Sequence, residues 1–241
     1  MSTSLKQIHA WLNKWAPENT AAQWDNVGIQ IGGPNQIIKS VLIALDVDKA
    51  TLKTMAKTKP DLVLTHHPIF FNPLSSIDYS NDMGQILSHF FKTKATLLSA
   101  HTNLDLAADG VNDTFIKAFG LNPKNRKPIA QGFGKIVNVK KKVKDLAKIM
   151  PCTIQGDTSK KEVSKIGFCC GSGHGLVMAL PSQDIDCFIT GEINYHDHVF
   201  CDMNNITVIT VGHKESEDVV LPIIKHKLSS SFPSLKIEIV G

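Results

Sequence analysis

The segment Leu62-Val63-Leu64-Thr65-His66-His67-Pro68 decides the fold class of this chain and points to its chemistry. Three consecutive apolar residues followed by threonine are typical of a short strand buried on both faces of a sheet, and Pro68 ends it. Upstream, residues 41 to 45 (VLIAL) form another such run, and residues 50 to 57 have the pattern of a helix. This order of strand, helix and strand predicts a parallel sheet with helices on its faces.

The same alternation extends outward from this centre. Residues 5 to 15 carry apolar side chains at helical spacing after a capping box formed by Ser4 and Gln7. Residues 27 to 31 alternate apolar and polar side chains before a Gly-Gly-Pro turn, as a half-buried strand does. Further along, the pattern predicts a helix at 83 to 91, a strand at 96 to 99 and a helix at 111 to 119.

A second unit is predicted after residues 121 to 128, where prolines and charges interrupt the apolar rhythm. Its elements are predicted at 136 to 137, 143 to 149 (a helix), 166 to 170, 187 to 189 and 206 to 211. A helix at 216 to 227 and a strand at 235 to 240 are expected to pack back on the first unit. We therefore predict two linked α/β domains, each with a mixed or largely parallel sheet flanked by helices. The predicted domains are 1–125 with 212–241, and 126–211.

Composition favours an ordinary globular protein of the cytoplasm. The chain has 241 residues, of which 42% are hydrophobic, and its five cysteines show no C-x-x-C pair. An odd number of cysteines without an export signal at the opening MSTSLKQ argues against a disulfide framework. The longest apolar run, residues 41 to 45, is far too short to span a bilayer.

Charge gives weak support for a nucleic-acid partner. The net charge is +4, and the basic residues concentrate at 140 to 148, preceded by Lys124, Arg126 and Lys127. No aromatic side chains alternate with these lysines to stack on bases, so a solvated face is the favoured interpretation.

Candidate ligands for metal ions follow three of the predicted strands. His66 and His67 follow the first strand, Asp105 follows the strand at 96 to 99, and His213 with Glu217 follows the strand at 206 to 211. Ligands in open α/β sheets gather at the carboxyl ends of strands, which places these side chains near a common edge.

Each of these signals has a structural alternative. One histidine of the pair could pack in the core while the other is solvated, and Asp105 could be a turn or helix-cap residue. His213 and Glu217 stand four residues apart, which is also a common pair on a helix surface. It is the convergence of three imidazoles and two carboxylates that favours metal binding.

A ligand set of this size suits two borderline cations better than one tetrahedral ion. Zinc, manganese and iron(II) all accept such a mixture of nitrogen and oxygen ligands. Paired ions can lower the pKa of a shared water toward about 7 and polarise the bond that it attacks. The predicted reaction class is therefore hydrolysis.

Five motifs occur in a fixed order along nearly the whole chain. They are Trp24-Asp25-Asn26-Val27-Gly28, Thr65-His66-His67-Pro68, His101-Thr102-Asn103-Leu104-Asp105 with Gly110-Val111-Asn112-Asp113, Thr190-Gly191-Glu192, and Gly212-His213 with Glu217. In this order they resemble the Nif-three-like family, also called GTP cyclohydrolase I type 2 homologues.

The resemblance implies a dinuclear site on His66, His67, Asp105, His213 and Glu217, the residues chosen above from their positions. It also implies a two-domain α/β fold and a toroidal homohexamer whose metal sites face an inner cavity. Longer relatives contain an inserted domain for which this chain is too short. His101, Glu192 and His196 lie in or beside family motifs, and are expected either to orient the ligands or to act as acid and base groups.

Two functions follow as hypotheses. The first is a metal-dependent hydrolase of a nucleotide or related small molecule, with GTP suggested by the family name. The second is a non-catalytic metal-binding oligomer that interacts with a protein or nucleic acid.

Overall fold

The computed structural model describes residues 2–125, 127–156 and 162–240. Arg126, which belongs to the basic stretch noted above, lies outside the described residues. The chain divides into two compact units, one comprising Met1–Ala107 with Leu221–Gly241 and the other Ala108–Val220.

The strands within the described residues, β1 to β13, are Thr3–Ser4, Gly28–Ile31, Ile37–Ile38, Ser40–Ala44, Leu62–Thr65, Thr96–Ser99, Lys127–Ile129, Gly134–Lys141, Thr153–Gln155, Val163–Ser172, Cys187–Glu192, Thr207–Thr210 and Lys236–Ile239. The α-helices there, α1 to α9, are Leu5–Trp15, Lys49–Thr58, Asp82–Thr93, Thr102–Leu106, Val111–Ala118, Val143–Leu146, Tyr195–Met203, His213–Glu217 and Leu221–Ser231. Short 3-10 turns are found at Glu18–Thr20, Pro123–Asn125, Ala130–Gly132, Leu176–Ala179, Pro181–Gln183 and Asp218–Val220.

The first unit contains a five-stranded sheet in the order β13-β4-β5-β6-β2. The first four of these strands are parallel, and β2 pairs antiparallel with β6. All four residues of β5 are buried, which explains its continuous apolar sequence. α1 begins at the predicted capping box, in which Ser4 and Gln7 bond each other's backbone.

The second unit contains a six-stranded mixed sheet in the order β7-β8-β10-β11-β12-β9. β10, β11 and β12 are parallel, while β8 and β9 pair antiparallel with the outer members of that group. Phe115 of α5 packs edge-on against Phe168 of β10, with ring centroids 5.8 Å apart. The predicted fold class, two α/β units with mixed sheets flanked by helices, is therefore confirmed.

The compact units divide at places other than the predicted domain boundaries. α5 belongs to the second unit, where the Phe115 contact places it, and the unit extends to Val220. As limits of independently folding domains, the predicted boundaries at residues 125 and 211 stay a prediction.

The predicted helix from 216 to 227 is wrong as a single element. α8 ends at Glu217, a 3-10 turn covers Asp218–Val220, and α9 starts at Leu221. Pro222 explains the interruption, because proline lacks a backbone N–H and is tolerated only in the first turn of a helix. β13, the last strand, pairs with β4 in the first unit as expected.

α7 was not predicted from the sequence. Its apolar residues form no clear stripe, and its signal lies in the Asn194 and Asp197 side chains, which form a capping box.

All five cysteines lie in described segments, and none of them forms a disulfide. Among the described residues, no helix has the length and apolar character needed to cross a membrane.

Candidate metal centre

The candidate ligands of the first unit follow β5 and β6, two of three neighbouring parallel strands that end level with one another. Ala44, Thr65 and Ser99 are register partners across β4, β5 and β6, and each stands at the end of its strand. The residues just beyond these ends therefore share one edge of the sheet.

His66, His67 and His101 form a cluster at this edge, which we call the histidine cluster. The ring centroid of His66 lies 4.9 Å from that of His67 and 5.2 Å from that of His101, and the His67 and His101 centroids are also 5.2 Å apart. One ring nitrogen from each residue lies within 4.8 Å of the other two. His66 is completely buried. Three imidazoles this close, one of them inside the protein, have the spacing of ligands to a metal ion.

The Nδ1 atoms of the histidine cluster all point to oxygen acceptors. His66 Nδ1 lies 2.8 Å from the carbonyl oxygen of Ala100. His67 Nδ1 lies 2.9 Å from Asp46 Oδ1, and His101 Nδ1 lies 3.0 Å from Asp25 Oδ1.

These bonds fix the tautomer of each ring. A carbonyl or carboxylate oxygen only accepts, so each Nδ1 carries a proton, and in the neutral ring Nε2 then carries the lone pair. Histidine ligands in metalloproteins usually have their second nitrogen bonded in this way, which orients the ring and raises its basicity.

Asp105 lies in the one-turn helix α4, Thr102–Leu106, rather than in an irregular loop. Its Oδ1 is 3.6 Å from Nε2 of the buried His66. Two ligand atoms each about 2.1 Å from one zinc ion, in a roughly tetrahedral arrangement, are about 3.4 Å apart. The separation of these two atoms therefore fits a shared ion.

Asp25 anchors His101 from inside the protein. Its side chain is buried, and it accepts hydrogen bonds from His101 and from both the backbone and the hydroxyl of Thr102. Burial acts to raise the pKa of Asp25, but the His101 and Thr102 bonds outweigh it and lower the pKa to about 2. The carboxylate therefore stays ionised and holds the His101 ring in one orientation.

The second unit has its own pair of candidate ligands in α8. His213 Nε2 lies 3.4 Å from Oε2 of Glu217, whose side chain is buried. His213 Nδ1 is bonded to Glu192 Oε1 at 3.0 Å, so this ring shows the same arrangement as the histidine cluster. The side chains of His213 and Glu217 lie on the same face of α8, as their i, i+4 spacing predicts. The distance between His213 Nε2 and Glu217 Oε2 also suits two ligands of one ion.

Two glycines allow this arrangement in the second unit. Gly212 precedes α8 with a φ of 102°, a conformation that side chains rarely adopt. Gly171 has a φ of 58°, and a Cβ placed there would collide with the Glu217 carboxylate. The carboxylate thus packs directly against the backbone at the end of β10.

The structure distributes the predicted residues as follows. His66, His67 and Asp105 lie together in the first unit with His101, and Glu192 contacts His213 in the second unit. His196 is exposed on α7, with its ring against Tyr195.

Sequence reasoning did not single out Asp46 and gave Asp25 no role of its own. Asp46 follows β4 two residues past its end, so the strand-end rule could have found it. For Asp25 there is no local signal, because its partner His101 is 76 residues away.

Comparison with known proteins gives a consistent picture. A family model described as Duf34/NIF3 (NGG1p interacting factor 3) matches residues 3–241. A protein of Clostridium acetobutylicum named GTP cyclohydrolase 1 type 2 homolog is 27% identical over 252 residues, covering 98% of this chain and 94% of its own length. A protein of Campylobacter jejuni with the same name is 30% identical over 222 residues, covering 88% and 87%.

Solved structures show the same fold. Reduced HcgD from Methanocaldococcus jannaschii has a TM-score of 0.88 at 24% identity, covering 100% of this chain and 98% of its own. The protein ybgI, described as of unknown function, has a TM-score of 0.87 at 16% identity, with coverage of 99% and 98%.

Proposed function

This chain belongs to the Duf34/NIF3 family, and on that premise we propose that it is a metal-dependent hydrolase of a nucleotide or related small molecule. In this proposal His66, His67, Asp105, His213 and Glu217 bind two divalent ions. His101 is a further candidate ligand, because its Nε2 presents a lone pair in the same way as those of His66 and His67.

One observation carries the proposal above the others. In each of the four imidazoles, His66, His67, His101 and His213, the Nδ1 atom is bonded to a carbonyl or carboxylate oxygen. Metal-ligating histidines usually have this arrangement, and in these four it is combined with a neighbouring imidazole or carboxylate that could share an ion. The mixture of nitrogen and oxygen donors suits zinc, iron(II) or manganese.

When bound, two such ions would lower the pKa of a water and polarise the bond that it attacks. The chain's own groups prepare the site for this chemistry. Asp25 and Asp46 hold their imidazoles in the ligating orientation, and Glu192 does the same for His213. His66 and Glu217 are each buried within their own unit, which limits the access of bulk water to these two candidate ligands.

GTP is the first substrate to assay, since two relatives carry the name GTP cyclohydrolase 1 type 2 homolog. In that reaction one water adds to the guanine carbon between the two imidazole-ring nitrogens and opens the ring to a formamide. A second water then releases formate. The proposed substrate class is nucleotides and related small molecules, and GTP is the first member of that class to test.

The test is turnover by metal-replete protein across GTP and a panel of other nucleotides. We expect hydrolysis of at least one nucleotide by the wild type and its loss in Asp105→Ala. No turnover of any member of the panel, with identical behaviour of Asp105→Ala, would remove the hydrolase from consideration.

The second candidate function is a metal-binding oligomer without catalysis, and the description of the family as an interacting factor favours it. A structural metal site is closed by protein ligands, whereas a catalytic site keeps a position for water. Bound metal without turnover would support this second function.

The assembly we propose is a homohexamer in the cytoplasm, with a nucleotide or small molecule as the main partner and no role for a membrane. Light scattering should then give six times the 26.4 kDa mass of the chain. A mass equal to that of a single chain, at the protein concentration used in the assays, would contradict the homohexamer.

A further inference from the structure

Trp24 is an exposed tryptophan whose ring contacts His101 of the histidine cluster. The proposed function assigns it no role. Its exposed fraction is 63%, although it stands next to the buried side chain of Asp25. When such a side chain is part of a larger exposed apolar patch, the patch often marks a site for a ligand or partner.

The exposure of Trp24 does not come from a loosely held segment. On one side, the Ala22 N–H donates to Thr102 Oγ1 at 2.9 Å. On the other, the side-chain Nδ2 of Asn26 donates to the carbonyl oxygen of Phe70 at 2.6 Å, while Asp25 is bonded to His101 and Thr102. The backbone is thus fixed on both sides of the indole, which is presented in a defined place.

Phe71 is the second exposed aromatic at this place, with an exposed fraction of 47%. Its ring centroid is 6.4 Å from that of Trp24, and the two planes differ by 31°. Both rings meet His101 edge-on with centroids 5.8 Å apart. The two aromatic rings, which we call the aromatic platform, are therefore joined to the histidine cluster through one imidazole.

A recess of about 420 Å³ opens beside the aromatic platform. Its lining consists of Asn26, Phe70, Phe71, Asn72, Pro73 and Leu74. This volume is within the range of small-molecule sites, which are mostly apolar with a few polar groups for orientation. None of these lining residues is charged, so the recess suits a neutral planar ring better than a phosphate or a carboxylate.

We infer that the aromatic platform binds the heteroaromatic ring of the substrate by stacking, and so holds it beside the histidine cluster. Every nucleobase has a face that stacks on indole or phenyl rings, and this binding is tolerant of sequence and substituents. The substrate class is thus a small molecule with a planar, uncharged heterocycle. The inference rests on the proposed function only in assigning this ring to the substrate of the metal site.

The test measures binding of guanosine 5′-monophosphate to the purified protein by calorimetry, with ribose 5-phosphate as the ligand that lacks the ring. We expect Trp24→Ala to weaken binding of the nucleotide about tenfold, and Trp24→Phe to stay within about threefold of the wild type. Ribose 5-phosphate should bind wild type and variants alike. Tyr195→Ala, which removes an aromatic residue that is 75% exposed in the other unit, is the matched control and should bind as the wild type does.

Fluorescence supplies a second readout that a merely structural role would not change. The nucleotide should quench the wild-type emission, and Trp24→Phe should lose that quenching while Trp11 and Trp15 remain. Metal content measured on the same samples tests the proposed function separately. Absence of metal together with Trp24-dependent nucleotide binding would contradict the proposed hydrolase function but would still support nucleotide binding by the aromatic platform.

Three results would overturn the inference. The first is nucleotide affinity in Trp24→Ala equal to that of the wild type, and the second is no measurable binding to the wild type at all. The third is a change of oligomeric mass in Trp24→Ala with nucleotide binding unaltered, which would make these rings a contact between copies of the chain.

Discussion

Oδ1 of Asp25 lies 3.0 Å from Nδ1 of His101, and the carboxylate is buried although the two residues are 76 positions apart. The bond places the proton of the neutral His101 ring on Nδ1, and the ring centroids of His66 and His67 are each 5.2 Å from that of His101. Asp25 is therefore a positioning residue for the histidine cluster, and under the proposed function it would act on a bound ion through His101.

Asp25→Asn should weaken metal binding by about 10- to 100-fold, because the neutral amide holds the imidazole less firmly and lowers its basicity. Competition with a chelator of known affinity measures the change. Asp78→Asn is the control, since Asp78 is exposed in the same unit and its side chain bonds only to Ser80 among the hydrogen bonds described. Wild-type metal affinity in a folded Asp25→Asn protein would show that Asp25 does not act through His101.

Gly171→Ala should lower stability more than Gly120→Ala. Both positions have a positive φ, 58° and 69°, and so carry a similar backbone penalty. A Cβ at Gly120 has no heavy atom within 4 Å, whereas one at Gly171 meets the Glu217 carboxylate. We expect an additional loss of about 1–3 kcal/mol in the free energy of unfolding at Gly171, from denaturant titration.

The same variant should also bind metal less tightly, because Glu217 must move to make room. Equal stability losses in the two glycine variants, with unchanged metal binding in both, would mean that the close packing of Glu217 against Gly171 is unimportant.

Thiol labelling at pH 8 should modify Cys152 quickly and the other four cysteines only after unfolding. Cys152 is partly exposed, and the other four are buried. Burial and the nearby charge of Asp197 raise the pKa of Cys201 from 9.0 to about 11, so its reactive thiolate is scarce at this pH. Cys152→Ser should abolish the fast phase, whereas a fast phase that persists in this variant would contradict the burial of the remaining thiols.

The raised pKa of Cys201 also fixes the sign of a pH effect on stability. In the unfolded chain this thiol ionises from about pH 9, while in the folded protein it stays protonated until about pH 11. Its contribution to the free energy of unfolding is therefore constant below pH 9 and is lost as the pH rises toward 11. Alkaline denaturation of Cys201→Ala should lack this component, and identical pH profiles for the variant and the wild type would contradict it.

The sequence predicts the strand ends well because that information is local. Buried strands such as Leu62 to Thr65 can be recognised from their continuous apolar composition. The residues that follow such strands lie at the edge of the sheet. His66 and His67 are found in this way, and Asp105 and His213 follow from the same rule.

The partners of these residues could not be predicted because they depend on side-chain rotation and on contacts distant in sequence. Asp46 reaches His67 across 21 positions, and Glu192 reaches His213 across the same number. The break before α9 was missed for a different reason, since the apolar spacing continues through Pro222 while the backbone hydrogen bonds cannot.

Elemental analysis of the purified protein, wild type beside His66→Ala and Glu217→Ala, tests the metal site most directly. We predict about two divalent ions per chain in the wild type and a clear loss in both variants, with Asp78→Asn retaining the full content. Wild-type protein without bound metal, or variants that keep all of it, would contradict the assignment of these residues as ligands.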